Sequence, residues 1–358
     1  MNHLRIAVSG LHRGENPQPG SSIVSAIRLA WPEATVVGLV YNAYESGIFA
    51  GDGPDVCHAM PYPTAGLGSY LERLAQVRAA VEFDWLIPTL DAEIAVLAGA
   101  GPQLEKLGVR MMLPERELLA RCGKAGLPKL ADECGVATPE TAVARDLAEA
   151  LEHAGRIGYP VYLKGPYYDA SLVSSPASLA AAGGAILADW GTPLIVQEPV
   201  AGTEFNVMGL GDGRGGMLGH CAVRKLIISD KGKGNGSVVV SDRRLEEITA
   251  RVLKHTRWTG PFELEFVRAP EDDRYRLLEI NPRFPAWVGF PALLGANYPA
   301  AWVEWMTTGK CRTLPVLEPG TFFLRHQIEV CGRMDQVSSL LATAPERNPI
   351  NKLTNRTA

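Results

Sequence analysis

The first third of the chain alternates short apolar runs with longer segments whose apolar residues recur at helical spacing. The short runs are rich in β-branched residues and are typical of buried strands, whereas the longer segments predict amphipathic helices. This rhythm predicts a parallel α/β sheet with crossover helices. The predicted strands are residues 4–9, 35–40, 85–88 and 109–113, and the predicted helices are residues 21–30 and 67–81.

From about residue 115 the pattern changes to longer strands in succession, which predicts an antiparallel α+β region. A polar turn at 268–274 joins the last two of these strands into a hairpin. The predicted strands are 160–164, 194–198, 204–211, 219–228, 238–240, 262–267 and 275–280. The predicted helical segments are 117–135, 146–154, 178–188, 245–255 and 287–306, and a polar tail typical of disorder follows from 342.

Composition excludes several classes of protein. The chain has 358 residues, enough for two or three compact units, and 46% of them are apolar. A net charge of −4 gives no electrostatic reason to expect nucleic acid as a partner. The six cysteines are scattered without a Cys/His cluster, so neither a zinc site nor a disulfide framework is indicated. We see no signal peptide and no 18-residue apolar run, and we expect a cytoplasmic protein without membrane association.

The predicted hairpin carries the strongest candidate chemistry. Strand alternation places Glu263, Glu265, Glu279 and Asn281 on one face, with apolar neighbours on the other. Carboxylates that converge on a buried strand would repel one another, and a magnesium ion with its preference for oxygen ligands would remove that conflict. Arg283 could bind an anionic group through both nitrogens of its fork. A solvent-facing strand with alternating charges is the plainer alternative.

Several segments together resemble the ATP-grasp enzymes, especially the carbamoyl-phosphate synthase large-chain and biotin carboxylase branch. LLEINPR resembles the signature that closes the ATP-grasp active site, and IPTLDAE resembles a loop of the N-terminal domain. Lys124 followed by GVATPET, the strand GYPVYLK, and VQEPVAGTEFNV resemble further family segments in the same order. The resemblance implies a parallel N-terminal (pre-ATP-grasp) α/β domain, a mobile lid and an antiparallel C-terminal sheet.

The resemblance also implies a nucleotide site. In it, two lysines would contact the phosphates of ATP, a hinge would meet the adenine edge through its backbone, and a carboxylate would accept from the ribose hydroxyls. The implied residues are Lys124 and Lys164 for the phosphates, Gln197, Glu198 and Val200 for the hinge, and Glu204 for the ribose. Without the family context each lysine would be interpreted as an ordinary surface residue.

The metal and substrate residues follow in the same way. Glu263, Glu279 and Asn281 would hold magnesium, which manganese could replace, and Arg283 would face the acyl phosphate or the substrate. Arg224 or Lys225 is expected to bind the anionic substrate, which we place near Asp91 and Glu93. The role of Glu265 stays open between a structural and a supporting one. The loop that contains Lys231 and Lys233 suits either phosphate binding or a solvated hairpin.

One segment departs from the family pattern. Many relatives carry a loop rich in glycine and serine after the lid lysine, where backbone N–H groups wrap the phosphates. Here the stretch 165–171 has a single glycine, two tyrosines and an aspartate. Its contacts with a nucleotide therefore cannot be carried over.

These observations predict four regions: an N-terminal α/β domain (1–115), a linker helix and lid (116–200), a catalytic subdomain (201–341) and a tail (342–358). The expected activity is an ATP-dependent ligation of a carboxylate to an amine through an acyl phosphate, with release of ADP and phosphate. The alternatives are a carboxylase that uses bicarbonate through carboxyphosphate, and a nucleotide-binding module without catalysis. The expected partners are small molecules, together with a second copy of the chain, as in related dimers.

Overall fold

The structure is a computed structural model that describes residues 3–14, 16–166, 170–228 and 234–342. Contacts divide the chain into two compact units. The first unit contains the described parts of Met1–Leu113, Pro282–Leu317 and Arg325–Ala358. The second unit contains those of Pro114–Asn281 and Glu318–Leu324.

The N-terminal part of the first unit is a parallel sheet in the strand order β3-β2-β1-β4, as the alternating pattern predicts. The predicted strand at 109–113 is wrong, because this segment contributes only a single bridge from Arg110 to Trp85. The elements are β1 (Arg5–Ser9), α1 (Pro19–Ala30), β2 (Thr35–Val40), β3 (Val56–Ala59), α2 (Gly66–Ala80), β4 (Trp85–Ile87), α3 (Asp91–Leu97) and α4 (Gly101–Lys106), with 3-10 turns at Ser46–Phe49 and Pro63–Ala65.

The second unit contains two antiparallel sheets and their helices. One sheet has the strand order β5-β8-β6-β7, and the other has the order β13-β12-β9-β10-β11-β14. The elements are α5 (Arg116–Cys122), α6 (Leu127–Glu133), β5 (Thr141–Ala144), α7 (Leu147–Ile157), β6 (Val161–Lys164), β7 (Ala170–Val173), α8 (Pro176–Trp190), β8 (Leu194–Gln197), β9 (Thr203–Asp212), β10 (Met217–Ile228), β11 (Gly234–Val239), α9 (Arg243–Thr256), β12 (Thr259–Arg268) and β13 (Tyr275–Asn281). The short edge strand β14 (Phe322–Leu324) completes the larger sheet.

The predicted helix at 117–135 is two helices. The first ends at Cys122, and the second begins at Leu127 with Pro128 in its first turn. Proline is tolerated in a first turn but not in a helix interior, so the chain has to restart there. Lys124 therefore lies on the turn between α5 and α6 and not within a helix.

One face of the six-stranded sheet forms the core of the second unit. Phe262, Leu264 and Phe266 of β12 pack with apolar residues of α6 and α9 in one buried cluster. Because side chains alternate along a strand, the residues between them point to the opposite face. That opposite face carries the candidate chemistry.

The remaining helices are α10 (Gly289–Leu293), α11 (Tyr298–Thr308) and α12 (Met334–Ala342). The segment Pro282–Leu317 belongs to the first unit, whereas the predicted domains assign it to the catalytic subdomain. The reason is its packing on α1: Ser22 Oγ donates to the carbonyl of Ala286 (2.9 Å) and Asn297 Nδ2 to that of Ala26 (2.7 Å).

Glu93 is fully buried at the carboxyl ends of the parallel strands. Its carboxylate accepts hydrogen bonds from Tyr70 Oη (2.6 Å), Tyr41 Oη (2.9 Å), Ser9 Oγ and the backbone N–H of Thr89 (3.3 Å). Every hydrogen-bond donor named here belongs to the fold itself, so the Glu93 carboxylate is held by the fold, and the placement of a substrate near Asp91 and Glu93 stays a prediction. Burial raises the pKa of this carboxyl, although the four donors oppose the change.

We expect Glu93→Gln to change the pH dependence of stability. A raised pKa means that the native state keeps the proton at pH values where the unfolded chain, with a pKa of about 4.3, has lost it. Native stability therefore falls as pH rises from the unfolded pKa through the native pKa, by about 1.4 kcal/mol for each pH unit that separates the two values. Urea unfolding between pH 4 and 8 should show that the free energy of unfolding of Glu93→Gln rises relative to that of the wild type as pH rises.

The matched control is Glu72→Gln, because Glu72 is exposed on α2 of the same unit. Its stability should follow the wild-type pH profile throughout. If Glu93→Gln also follows that profile, the pKa of Glu93 is not raised in the native state.

Candidate active site

The polar face of the six-stranded sheet brings together residues from four neighbouring strands. On the hairpin, Glu263 lies opposite Asn281, and Glu265 lies opposite Glu279. On the other side of β12, Asn206 of β9 lies opposite Glu265. Residues that lie opposite each other in an antiparallel pair share a face, so the predicted grouping on the hairpin is confirmed.

Two side-chain amides hold the carboxylates of β12 in place. Asn206 Nδ2 donates to Glu263 Oε1 (2.7 Å). Asn281 Nδ2 donates to Glu263 Oε2 and to Glu265 Oε1 (both 3.1 Å). Glu263 is only 5% exposed, so these bonds replace the water that a buried carboxylate would otherwise need. Because its NH₂ group faces both carboxylates, the oxygen of the Asn281 amide points away from them.

Lys225 joins this face as a buried cation. Its Nζ donates to Glu204 Oε2 (2.6 Å) and to Glu265 Oε2 (3.2 Å). Burial alone would lower the pKa of Lys225, but the carboxylates of Glu265 and Glu204 raise it above the usual range for lysine. Lys225 is therefore a permanent cation that bridges three strands. Arg224, the preceding residue on the same strand, is exposed and points to the opposite face.

A small cavity, with room for about one water molecule, lies between the four-stranded sheet, the α5–α6 turn and β13. It is lined by polar and charged groups of Lys124, Lys164, Gln197, Thr138 and Thr141, and by apolar groups of Leu127, Pro128, Ile195, Leu277 and Leu278. The two leucines of β13 directly precede Glu279 in the sequence. The cavity therefore has lysines on one wall and, on another, the two leucines that directly precede Glu279.

The orientation of Lys164 in this cavity is fixed by Gln197. Lys164 Nζ donates to Gln197 Oε1 (2.6 Å), and Gln197 Nε2 donates to Thr141 Oγ1 (2.9 Å). Burial lowers the pKa of Lys164; Glu279 opposes this change, and the nearby charge of Lys124 adds to it. The two ammonium groups repel each other, so the space near them favours an anion with several charges.

The predicted hinge follows β8. The backbone N–H of Glu198 donates to the carbonyl of Glu140 (2.9 Å), and Glu198 Oε1 accepts from the N–H of Glu140 (2.9 Å). The N–H of Glu198 is therefore committed to the fold and does not serve as a donor to an adenine ring. Val200 is half-buried three residues beyond the end of β8.

Arg283 lies in the first unit and pairs with Asp91, one of the two residues near which we expect the substrate. Its Nε and Nη2 donate to the two carboxylate oxygens of Asp91 (2.8 and 3.1 Å). The pair is bidentate, so the plane of the guanidinium group is fixed. Asp91 itself begins α3 and stays half exposed.

The structure thus collects Glu204, Lys225, Glu263, Glu265, Glu279 and Asn281 on one sheet face, and Lys124, Lys164 and Gln197 around one cavity. Among the described residues, no three His, Cys, Asp or Glu side chains are grouped so that they alone could hold a metal. Lys231 and Lys233 lie outside the described residues.

Sequence reasoning missed Asn206 and Thr141. Asn206 lies on a strand whose register against β12 depends on long-range pairing. The alternation of Glu204 and Asn206 on the predicted strand 204–211 was the only signal that could have placed them on one face.

Comparison with known proteins finds relatives by sequence and neighbours by structure. No family model matches the chain. The carbamoyl phosphate synthase large chain of Pyrococcus furiosus is 27% identical over 214 residues, and that of Xanthomonas axonopodis pv. citri is 28% identical over 224 residues. These alignments cover 53% and 56% of this chain but only 20% of each relative. The chain therefore spans about a fifth of the length of the curated relatives it matches.

Solved structures share the fold. An L-amino acid ligase from Bacillus licheniformis superposes with a TM-score of 0.64 at 16% identity over 86% of this chain and 74% of the ligase. An N5-carboxyaminoimidazole ribonucleotide synthetase in complex with ADP superposes with a TM-score of 0.65 at 12% identity over 88% and 79%. The biotin carboxylase domain dimer of Hydrogenobacter thermophilus 2-oxoglutarate carboxylase superposes with a TM-score of 0.61 at 17% identity. This superposition covers 78% of this chain and 64% of the carboxylase domain chain.

The chain has the ATP-grasp fold. The predicted fold class is confirmed, and the similarity lies with the carbamoyl-phosphate synthase and biotin carboxylase branch. The neighbours named above are a ligase, a synthetase and the biotin carboxylase domain of a carboxylase. No helix in the described part of the chain is long and apolar enough to cross a membrane.

We expect Lys225 to be coupled energetically to Glu265. Lys225→Met would leave two carboxylates without their cation and should lower the free energy of unfolding by about 2 kcal/mol. Glu265→Gln should cost less in the Lys225→Met background than in the wild type, because the pair is already broken there. Urea unfolding of the four proteins of this double-mutant cycle gives the coupling energy.

The control is Arg224→Met, which removes a cation of the same strand from the exposed face and should change stability by under about 0.5 kcal/mol. Strict additivity of the Lys225 and Glu265 substitutions would show that the two side chains do not interact in solution.

Proposed function

We propose that this chain is an ATP-dependent carboxylate–amine ligase that forms an acyl phosphate and releases ADP and phosphate. The observation that supports it most is the cavity in which Lys124 and Lys164 stand against the end of β13 that leads into Glu279 and Asn281. A triphosphate needs cations for its oxygens, and its metal needs carboxylates. The second unit offers both: Lys124 and Lys164 line the cavity, and the carboxylates lie on β12 and β13.

The polar face fits a magnesium ion by charge and by donor type. Among the described residues of this face, four glutamates and Lys225 leave a formal excess of three negative charges. All available donors are oxygens, which magnesium prefers, and magnesium needs only one or two carboxylates beside phosphates and water. We propose Glu263, Glu279 and Asn281 as its residues, with manganese as a substitute. When bound, such an ion would neutralise negative charge that develops during phosphoryl transfer.

The other residues of the second unit would position the nucleotide. Lys164, fixed by Gln197, and Lys124, on its turn, would hold the phosphates. The hinge residues Glu198 and Val200 would meet the adenine through groups other than the N–H of Glu198. Glu204 uses Oε2 for Lys225, and we propose that its other oxygen accepts from the ribose.

The carboxylate substrate needs a cation of its own. Arg283 is held rigid by Asp91, and a planar guanidinium matches a carboxylate or an acyl phosphate. Lys225 and the exposed Arg224 were expected to share this task. Because Lys225 is bound by two glutamates and its side chain is only 6% exposed, we assign it to the support of the polar face. The side chain of Arg283 is 15% exposed, and we give Arg283 the substrate.

Hydroxylamine trapping tests the proposed chemistry. With ATP, magnesium and pools of amino acids or small carboxylates, the cognate acid should release ADP and give a hydroxamate, since an acyl phosphate reacts with hydroxylamine in place of the amine. ADP release that depends on bicarbonate alone would instead favour the carboxylase alternative. AMP formed with the cognate acid would contradict both mechanisms, and no turnover with any acceptor would leave a nucleotide-binding module.

We expect Glu279→Gln to reduce ADP formation at least roughly 100-fold at fixed magnesium while leaving the circular dichroism spectrum unchanged. The activity that remains should need a higher magnesium concentration, because one anionic ligand has become neutral. Glu152→Gln on α7 is the control, since Glu152 is exposed on another element of the second unit. Equal activity of Glu279→Gln and Glu152→Gln would remove the hairpin from the active site.

A further inference from the structure

The two polar atoms of the Asn206 side chain differ in their hydrogen bonding. Its Nδ2 donates to Glu263 Oε1 (2.7 Å), but its Oδ1 has no hydrogen-bond partner among the described residues and is shielded from solvent. The residue is only 5% exposed. A buried acceptor without a donor opposes folding, so such atoms in native proteins call for a reason, and an absent ion or water is a common one.

Rotation of the amide does not remove the problem. Turning the Asn206 side chain over would place its oxygen against Glu263 Oε1, so two acceptors would meet in a buried place. The carboxylate therefore fixes the orientation of the amide, and its oxygen stays without a donor. Whatever satisfies this oxygen has to come from outside the described protein groups.

The surroundings of Asn206 select the chemistry of that partner. On its strand Glu204 lies two residues before it, on the same face, and across β12 it stands opposite Glu265. With Glu263 bonded to its amide, Asn206 therefore lies among three carboxylates. Three carboxylates outnumber the one ammonium group of Lys225, which bonds Glu204 and Glu265, so negative charge is in excess. The remaining oxygens favour a hard, hydrated divalent cation.

We propose that Asn206 is a fourth residue of the cation site, in addition to Glu263, Glu279 and Asn281. Its Nδ2 orients Glu263, and its Oδ1 binds the cation directly or through a water of the hydration shell. This inference rests on the proposed function, because it uses the same metal. An ammonium group of an amine substrate could also satisfy the oxygen, and titration with amines separates that case.

Binding of Mn²⁺ in the presence of excess ADP, followed by electron paramagnetic resonance, provides the test without any need for turnover. Asn206→Ala should weaken Mn²⁺ binding about tenfold or more, the usual effect of losing a group that supports a metal ligand. Asn206→Asp keeps an oxygen at the same position and adds a charge, so it should bind Mn²⁺ at least as tightly as the wild type.

Thermal unfolding gives a second readout that a merely structural role would not produce. Without metal, Asn206→Asp places two carboxylates against each other and should unfold at a lower temperature than the wild type. Addition of Mn²⁺ and ADP should raise its unfolding temperature by more than it raises that of the wild type, because the ion offsets the new repulsion. This variant also carries the test if Asn206→Ala fails to fold.

Thr249→Val is the matched control, since Thr249 Oγ1 is another buried atom without a partner among the described residues but lies on α9. It should leave Mn²⁺ binding unchanged.

Wild-type affinity in Asn206→Ala, or an equal loss in Thr249→Val, would overturn the assignment of Asn206 while leaving the ligase proposal intact. A response of Asn206→Ala to amine substrates alone would assign the oxygen to the amine and overturn the cation assignment. If the wild type itself binds no Mn²⁺ with ADP, both proposals fail.

Discussion

The crowding of carboxylates on one face of the six-stranded sheet is the constraint on which the rest of the site depends. Glu204, Glu263, Glu265 and Glu279 meet there with Lys225 as the one ammonium among the described residues of these strands. Like charges in a half-buried place repel strongly, because the protein screens them less than water does. The face is stable without a ligand only to the extent that hydrogen bonds and Lys225 hold the carboxylates apart.

Each supporting contact answers that constraint. Asn206 and Asn281 turn their NH₂ groups to the carboxylates, and Lys225 bridges Glu204 and Glu265. The opposite face packs apolar side chains on α6 and α9, so strand alternation separates the core from the chemistry. The residual negative charge is what a divalent cation would offset. The same imbalance makes the free protein less stable than its packing alone would allow, as is common at functional sites.

Local patterns predicted much of this arrangement. Alternation in FELEF and LLEIN placed three glutamates and Asn281 on one face, and the register of the hairpin confirms it. The resemblance of LLEINPR and GYPVYLK to family segments predicted the ATP-grasp fold, which the solved structures confirm.

The other contacts of the site depend on pairing between strands that are distant in the sequence, and local patterns do not predict that pairing. That β9 lies between β12 and β10 brings Glu204 and Asn206 to the acidic face and pairs Glu204 with Lys225, residues 21 positions apart. The burial of Glu93 beneath Tyr41 and Tyr70 likewise depends on packing between α2, α3 and the end of β2.

Thermal unfolding with nucleotide and metal added separately can establish whether the polar face awaits a metal-bound nucleotide. A ligand that binds only the native state at 100 times its Kd stabilises that state by about 2.7 kcal/mol. We predict a rise in Tm of several degrees when ADP and Mg²⁺ are present together, and a much smaller rise with ADP in EDTA or with Mg²⁺ alone. An equal rise with ADP in EDTA, or no rise with both, would contradict a metal-dependent nucleotide site on this face.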